Sequence, residues 1–337
     1  MEALQIRGGL PLRGSVVASG AKNAITKMLV ASLLSDKVCT FYNVPNISEV
    51  DITLALCREI GMEVQWDRTE NKLRTITKKI ITSHIPQKFS GANRIPILLI
   101  GALLGRTNNE IIVPISGGCK IGKRPIDFHI TALEKLGASI EYQITEREKA
   151  YRATVSSKLV GTTIELPYPS VGATENSILA GCSADGQTIV KNAAIEPEIL
   201  DFIKFLQKMG ASIRVDNRTI YIEKMEKTRA VTHRVLTDRM EVACLGMAAI
   251  ATKGHIFVEG ADPTTLNFFL HQLEKIRAGF EIRSDGIEFF FRDSLRGGVH
   301  VETDVYPGFA TDWQQSFAVL LTQAKGHSCL LYTSDAA

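Results

Sequence analysis

A helix-ending phrase recurs along the chain at intervals of roughly 70 residues, a spacing that marks a repeated structural unit and constrains the fold more than any single motif. It reads Glu59-Ile60-Gly61-Met62-Glu63-Val64, Lys135-Leu136-Gly137-Ala138-Ser139-Ile140, Lys208-Met209-Gly210-Ala211-Ser212-Ile213 and, more loosely, Lys275-Ile276-Arg277-Ala278-Gly279-Phe280-Glu281-Ile282. In each, an apolar helix pattern stops at or near a glycine, the usual C-terminal cap, and alternating strand residues follow. The glycines are 76, 73 and 69 residues apart (61 to 137, 137 to 210, 210 to 279).

A second landmark accompanies the first. Polar phrases open apolar helices at Gly20-Ala21-Lys22-Asn23, Asn93-Arg94, Gly172-Ala173-Thr174-Glu175-Asn176, Thr237-Asp238-Arg239-Met240-Glu241 and Thr311-Asp312-Trp313-Gln314-Gln315. Short β-rich stretches such as Gln187-Thr188-Ile189-Val190 and Gly254-His255-Ile256-Phe257-Val258 follow most of these helices. Each unit therefore reads helix, strand, helix, glycine cap, strand, turn, strand. Four copies are expected and a fifth begins, which makes the fold class α/β.

The most chemically loaded stretch is Ser116-Gly117-Gly118-Cys119-Lys120-Ile121-Gly122-Lys123-Arg124-Pro125-Ile126-Asp127, with a strand-like Ile111-Ile112-Val113 before it and a helical pattern after it. Glycines let backbone and ligand approach closely. Lys120, Lys123 and Arg124 attract anions, and a guanidinium can grip phosphate or carboxylate with paired hydrogen bonds. Cations beside Cys119 favour its thiolate, so the thiol is the candidate reactive group. Gly117, Gly122 and Lys123 match the spacing of a nucleotide-hydrolase phosphate loop, but Arg124 follows where such a loop needs a serine or threonine for magnesium. That excludes the ATPase class. Helix starts attract phosphate through unpaired N–H groups, and here they carry Lys22, Arg94 and Arg239.

At 337 residues, with 45% hydrophobic and 22% charged, the chain is long enough for two domains with real cores. A net charge of +3 gives no nucleic-acid signal. Cys39, Cys57, Cys119, Cys182, Cys244 and Cys329 form no C-x-x-C pair and mostly sit in apolar stretches, so reduced, buried cysteines are expected, with no disulfide framework and no metal site. The start lacks a signal-peptide pattern, and the longest apolar run, Ile95 to Leu104, is too short to span a bilayer. A cytoplasmic protein with no membrane partner is expected.

Ser19-Gly20-Ala21-Lys22-Asn23-Ala24, the Gly117-to-His129 stretch, Ser170-Val171-Gly172-Ala173-Thr174, Asn192-Ala193-Ala194-x-Glu196-Pro197-Glu198-Ile199-x-Asp201 and Thr311-Asp312 together resemble the enolpyruvyl transferase family, in its branch of UDP-N-acetylglucosamine 1-carboxyvinyltransferases. The likeness runs from residue 1 to about residue 327. It implies two inside-out α/β barrel domains of repeated βαβαββ-type units. Residues 22–232 would form one complete domain with the Cys119 loop, and residues 1–21 with 233–327 a discontinuous and truncated second domain, its sixth unit missing.

The implied reaction transfers the enolpyruvyl group of phosphoenolpyruvate to the 3-hydroxyl of UDP-N-acetylglucosamine with release of phosphate, the first committed step of peptidoglycan synthesis. Its partners would be these two small molecules, and no cofactor is implied. By the resemblance Cys119 is the general acid, Lys22, Arg94 and Arg124 hold phosphate and carboxylate, and Asp312 receives the hydroxyl proton. Asn23, Asp127, His129, Ser170, Val171 and Gly172 would lie along the UDP-sugar. The family commonly has arginine where Ile195 stands, and the family's later arginines and aspartate are absent. Residues 328–337 interrupt the repeat and are expected to be a non-native tail. The alternatives are a 3-phosphoshikimate 1-carboxyvinyltransferase and an inactive UDP-sugar-binding fragment; the Gly-Gly-Cys loop favours the UDP-sugar enzyme.

Overall fold

The computed structural model describes residue 3 and residues 5–117, 126–145 and 149–331. Strand β1 (Arg13–Val17) comes first. The first copy of the unit then runs α1 (Lys22–Ala31), β2 (Cys39–Tyr42), α2 (Ser48–Ile60), β3 (Glu63–Asp67) and β4 (Lys72–Ile76). The second runs α3 (Ile95–Leu103), β5 (Ile111–Pro114), α4 (Asp127–Lys135), β6 (Ala138–Ile144) and β7 (Lys149–Val155). In the third, β8 (Thr163–Glu165) precedes α5 (Val171–Gly181), β9 (Thr188–Lys191), α6 (Pro197–Met209), β10 (Ser212–Asp216) and β11 (Thr219–Glu223). Next come β12 (Val231–Arg234), α7 (Arg239–Ala251), β13 (His255–Glu259), α8 (Asn267–Lys275), β14 (Gly279–Ile282) and β15 (Gly286–Phe290), then β16 (His300–Glu302), α9 (Gln314–Leu321) and β17 (Cys329–Leu331).

The sheets share one plan. Orders β12-β2-β4-β3, β8-β9-β11-β10 and β1-β13-β15-β14 each put a leading strand parallel to the strand after the first helix, with an antiparallel pair beyond. The second copy keeps β5-β7-β6 and reduces its leading strand to a parallel bridge between His84 and Ile112. Two leading strands are exchanged along the chain. β12 serves the first copy by pairing with β2, while β1, from the start of the chain, pairs with β13 of the fourth.

The chain accordingly divides into two compact units, Gly20–Leu236 and the remainder, up to Ser19 and from Thr237 on. Each has its own apolar core. In the first unit, α3 is buried on every side and α5 over nearly its whole length, as a helix apolar all round must be. Strands such as β3 and β10 alternate, with one face open to solvent. Helices fill the centre and sheets coat the outside, which is the inside-out α/β arrangement. Among the described residues no helix is long and apolar enough to cross a membrane.

The repeat is visible in single hydrogen bonds. The last carbonyl of each second helix, or the one just past it, accepts from the backbone leading onward: Ile81 N–H to Ile60 O at 2.8 Å, Val160 to Leu136 at 2.9 Å, Arg229 to Met209 at 2.8 Å and Arg296 to Ile276 at 3.0 Å. Gly61, Gly137 and Gly210 sit at the left-handed cap with φ of 118°, 102° and 124°. In the fourth copy that position is Arg277, with φ 61°, and the nearby Gly279 starts β14.

The expectation for the cysteines also changes. Cys39, Cys57 and Cys182 are buried, and burial pushes each thiol up to about 12, but Cys244 is half-buried and Cys329 is exposed. Cys329–Leu331, inside the stretch expected to be a non-native tail, supply the strand that the fifth copy calls for by pairing in parallel with β16.

Candidate active site

Residues 118–125, and with them Cys119 and Arg124, lie outside the described residues, but the ends of that segment are defined. Before it, Gly117 N–H donates to Asn93 O at 2.8 Å, beside the start of α3. A side chain at Gly117 would put its Cβ 1.9 Å from Gly91 O, so only glycine fits this approach. After it, buried Ile126 leads into α4, whose first residue is Asp127.

Helices α1, α3 and α5 run parallel, because they touch at matched depths. Near their starts, Lys27 Nζ on α1 is 4.0 Å from Glu175 Oε1 on α5. At mid-length, the Asn176 side chain on α5 bonds to the backbone of Ile97 and Gly101 on α3. Just past the ends, Gly105 packs against Ser183, and Arg106 Nη1 donates to Leu34 O at 3.3 Å. Their N-termini therefore gather at one end of the unit, and so do the positive ends of their dipoles.

That end carries Lys22 and Asn23 on α1, Arg94 at the cap of α3, and Ser170, Val171 and Gly172 at the start of α5. Ser170 is buried and caps α5, its Oγ accepting from Ala173 N–H at 3.3 Å. Asn93 does the same for α3 by accepting from Ile95 N–H at 3.0 Å. Asn23 O accepts from Lys27 Nζ at 3.0 Å, which ties the first turn of α1 to the cation that faces Glu175.

His129 on α4 reaches the same end. It is only 2% exposed and contacts Asn176 Nδ2 through Nδ1 at 3.2 Å. Burial, and secondarily the charge of Arg94, hold its ring neutral, with a pKa lowered to about 3. A Cβ at Gly172 would sit 2.9 Å from His129 Cε1 and 3.0 Å from Nε2, so the missing side chain makes room for the ring. Arg94, His129 and the Ser170–Gly172 turn thus come together, with Lys22 and Asn23 on the neighbouring helix end.

Asp312 belongs to the second unit, exposed in a single 3-10 turn, Thr311–Trp313, just before α9. In that unit the buried Arg239 heads α7, its guanidinium carbon 5.3 Å from the Trp313 ring centre and 5.4 Å from that of Tyr306. Asp238 caps the same helix, accepting from Met240 N–H at 2.8 Å and Glu241 N–H at 3.3 Å.

Two residues of this environment escaped the sequence-based assignment, Glu175 and Asn176. Both are 1% exposed or less, although they stand in a polar phrase, Thr174-Glu175-Asn176-Ser177, that a surface helix would turn to water. The available signal was that this polar phrase runs straight into the small, apolar Ile178-Leu179-Ala180-Gly181. A helix that buries such a run all round must bury its polar residues too.

Comparison with known proteins agrees with this architecture. The family model of EPSP synthase (3-phosphoshikimate 1-carboxyvinyltransferase) matches residues 6–334. A UDP-N-acetylglucosamine 1-carboxyvinyltransferase of Protochlamydia amoebophila is 61% identical over 329 residues, covering 97% of this chain and 71% of that protein. UDP-N-acetylglucosamine 1-carboxyvinyltransferase 1 of Staphylococcus aureus is 37% identical over 335 residues, covering 99% and 78%. Among solved structures, the enolpyruvyl transferase NikO of Streptomyces tendae superposes with a TM-score of 0.86 at 19% identity, covering 97% of this chain and 76% of that one. EPSP synthase of Acinetobacter baumannii gives 0.70 at 16% identity, covering 95% and 73%. With a family model along nearly its whole length and relatives this similar, the chain belongs to the EPSP synthase family of enolpyruvyl transferases.

Proposed function

We propose that the chain transfers the enolpyruvyl group of phosphoenolpyruvate to the 3-hydroxyl of UDP-N-acetylglucosamine, releasing inorganic phosphate. The observation that carries this is the gathering of the α1, α3 and α5 N-termini, with Lys22, Arg94 and the Ser170–Gly172 turn, at one end of a buried helical core. Such an end suits a ligand rich in phosphate. The curated relatives quoted above carry the name of this reaction at 61% and 37% identity. The reaction belongs to peptidoglycan synthesis and draws on soluble nucleotide sugar, so its place is the cytoplasm.

The chemistry assigns a role to each candidate. The sugar hydroxyl adds to C2 of phosphoenolpyruvate while C3 takes a proton. A tetrahedral intermediate forms, and loss of phosphate and of one C3 proton restores the double bond. In this reading Cys119 delivers the proton to C3, and Asp312 takes the one that leaves the hydroxyl. Lys22, Arg94 and Arg124 offset the charge of phosphate and carboxylate, which is where fixed cations help most. Asn23, Asp127, His129, Ser170, Val171 and Gly172 line the path of the UDP-sugar. The partners are the two small molecules.

The test is phosphate release from phosphoenolpyruvate by this chain, with and without UDP-N-acetylglucosamine. Release that needs both substrates supports the reading. Release driven by shikimate 3-phosphate instead assigns the chain to the sister reaction, and UDP-sugar binding without any release makes it a binding protein. Replacing the acid in Cys119→Ser should lower kcat by roughly 10²- to 10⁴-fold while leaving UDP-sugar affinity nearly intact. Lost affinity in that variant would mean that Cys119 holds the sugar nucleotide and does not act as the acid.

A further inference from the structure

We propose that Asn176 is a positioning residue that fixes His129 in its neutral Nε2–H form and so makes it a hydrogen-bond donor to an acceptor oxygen of the sugar nucleotide at Gly172. The proposal rests on the UDP-sugar reading of this site.

The argument starts from two backbone groups whose polarity is not negotiable. Asn176 is fully buried on α5. Its Oδ1 accepts from Gly101 N–H at 3.1 Å and its Nδ2 donates to Ile97 O at 3.2 Å. An amide N–H can only donate and a carbonyl can only accept, so the side-chain amide of Asn176 has one permitted orientation. A Cβ at Gly101 would come within 2.1 Å of Oδ1, which shows how closely α3 and the amide meet.

The second hydrogen on Nδ2 faces His129 Nδ1, 3.2 Å away. Nδ1 must therefore accept and carries no proton, and a neutral imidazole then has its proton on Nε2. An imidazolium would oppose one donor with another across the same contact. Burial and the Arg94 charge push in the same direction, against protonation.

Nε2 is buried and has no hydrogen-bond partner among the described residues, while the ring edge that bears it faces the α-carbon of Gly172. Native proteins rarely leave a buried donor unmatched, and an exception points to a ligand or a function. A ligand group that completes this donor must be an acceptor, a carbonyl or phosphoryl oxygen. A hydroxyl offering its hydrogen would meet an N–H in the way.

The deciding measurement is long-range ¹H–¹⁵N correlation spectroscopy on the histidine-labelled chain, with the His129 signals identified by their loss in His129→Gln. The expected spectrum shows His129 protonated on Nε2 and unchanged from pH 8 to pH 5, and UDP-N-acetylglucosamine shifts its Nε2–H proton while phosphoenolpyruvate alone does not. An Nδ1–H form, a titration in the ordinary histidine range, or an Nε2–H proton unmoved by saturating UDP-sugar would each overturn the proposal. Asn176→Asp tests the positioning. A carboxylate can accept from Gly101 but cannot donate to Nδ1, so the tautomer should switch and UDP-sugar affinity fall by about tenfold or more, the loss of one good hydrogen bond. The phosphoenolpyruvate KM should stay nearly unchanged. If Asn176→Asp folds and binds UDP-sugar as the unaltered chain does, the proposal fails; if it does not fold, the spectra of the unaltered chain decide. The tautomer is read without substrate, so its failure is distinct from absence of phosphate release, which would overturn the parent reading alone.

Discussion

Glu175 is 1% exposed on α5, with Lys27 as its nearby cation, and its carboxyl is pushed up to about 7. Burial is the main cause; Lys27 pulls the value down, and Glu196 and Glu198 raise it further. The ordinary value of such a group is 4.5, so the folded chain holds this proton more tightly than the unfolded chain does. The stability it contributes is complete below about pH 4.5 and is lost as the pH rises through about 7. His129 has the opposite sign: its lowered value means stability is lost as the pH falls from 6.5 towards about 3. Ionising Glu175 should cost the fold on the order of 3 kcal/mol. Glu175→Gln removes that cost, so its melting temperature should match the unaltered chain near pH 5 and exceed it by several degrees near pH 8. Parallel melting curves across that range would show that Glu175 is already ionised at pH 5. Lys22, Arg94 and Gly172 could be placed at helix starts from sequence because each sits in a local polar phrase there, whereas His129 came only with the family resemblance. The roles of Glu175 and Asn176 could not be read this way, because their partners lie on other helices; Ile97 is 79 residues from Asn176.

Cap geometry shows the same division at the level of elements. In the first copy Gly61 N–H donates to Arg58 O and Met62 N–H to Cys57 O, both at 3.0 Å. Gly210 and Ala211 repeat the pair onto Gln207 and Leu206, and Arg277 and Ala278 onto Glu274 and Leu273. These are the bonds of a left-handed cap, in which glycine is the relaxed residue. Arg277 keeps the bonds with a side chain in place, and a non-glycine residue there costs about 1–2 kcal/mol. Arg277→Gly should therefore raise stability by roughly 1 kcal/mol in urea unfolding, with the denaturant slope unchanged. No gain would mean that the Arg277 side chain, exposed at that position, makes a compensating contact. The helix-strand-helix rhythm was legible because each element carries its own periodicity and stop signal. The fourth cap falls on Arg277, two residues before the glycine that marks it in sequence, because what recurs in all four copies is the cap N–H bond to the carbonyl three residues back, not the glycine.

For the whole chain, the least legible feature is the exchange of leading strands. β12 is four residues long and pairs with a strand 192 positions earlier (231 minus 39), so nothing local announces its partner. It nevertheless links the last part of the Gly20–Leu236 unit to its first copy, pairing with β2 and packing against α6. Val231 and His233 are buried on it, and Val235 just beyond. Its ties reach other elements: His233 Nε2 is 3.1 Å from Asp201 Oδ1, and Leu236 N–H donates to Asp201 Oδ2 at 3.1 Å. Losing two buried valines and leaving Asp201 without these partners should cost on the order of 5 kcal/mol, against a typical total of about 5–15 kcal/mol for a domain. A fragment spanning residues 20–236 should thus unfold in a single cooperative transition, since it holds one complete core and its own closing strand. A fragment of residues 20–228 keeps every helix of that unit and loses β12 together with the Arg229–Met209 bond before it, and its melting transition should fall well below that of the longer fragment. The comparison separates two accounts of the repeat. If 20–228 is as stable as 20–236, the copies are held by neighbour contacts alone, as in an open array. If only the longer fragment is cooperative, the unit depends on the strand that returns from beyond residue 230 to tie its last copy to its first.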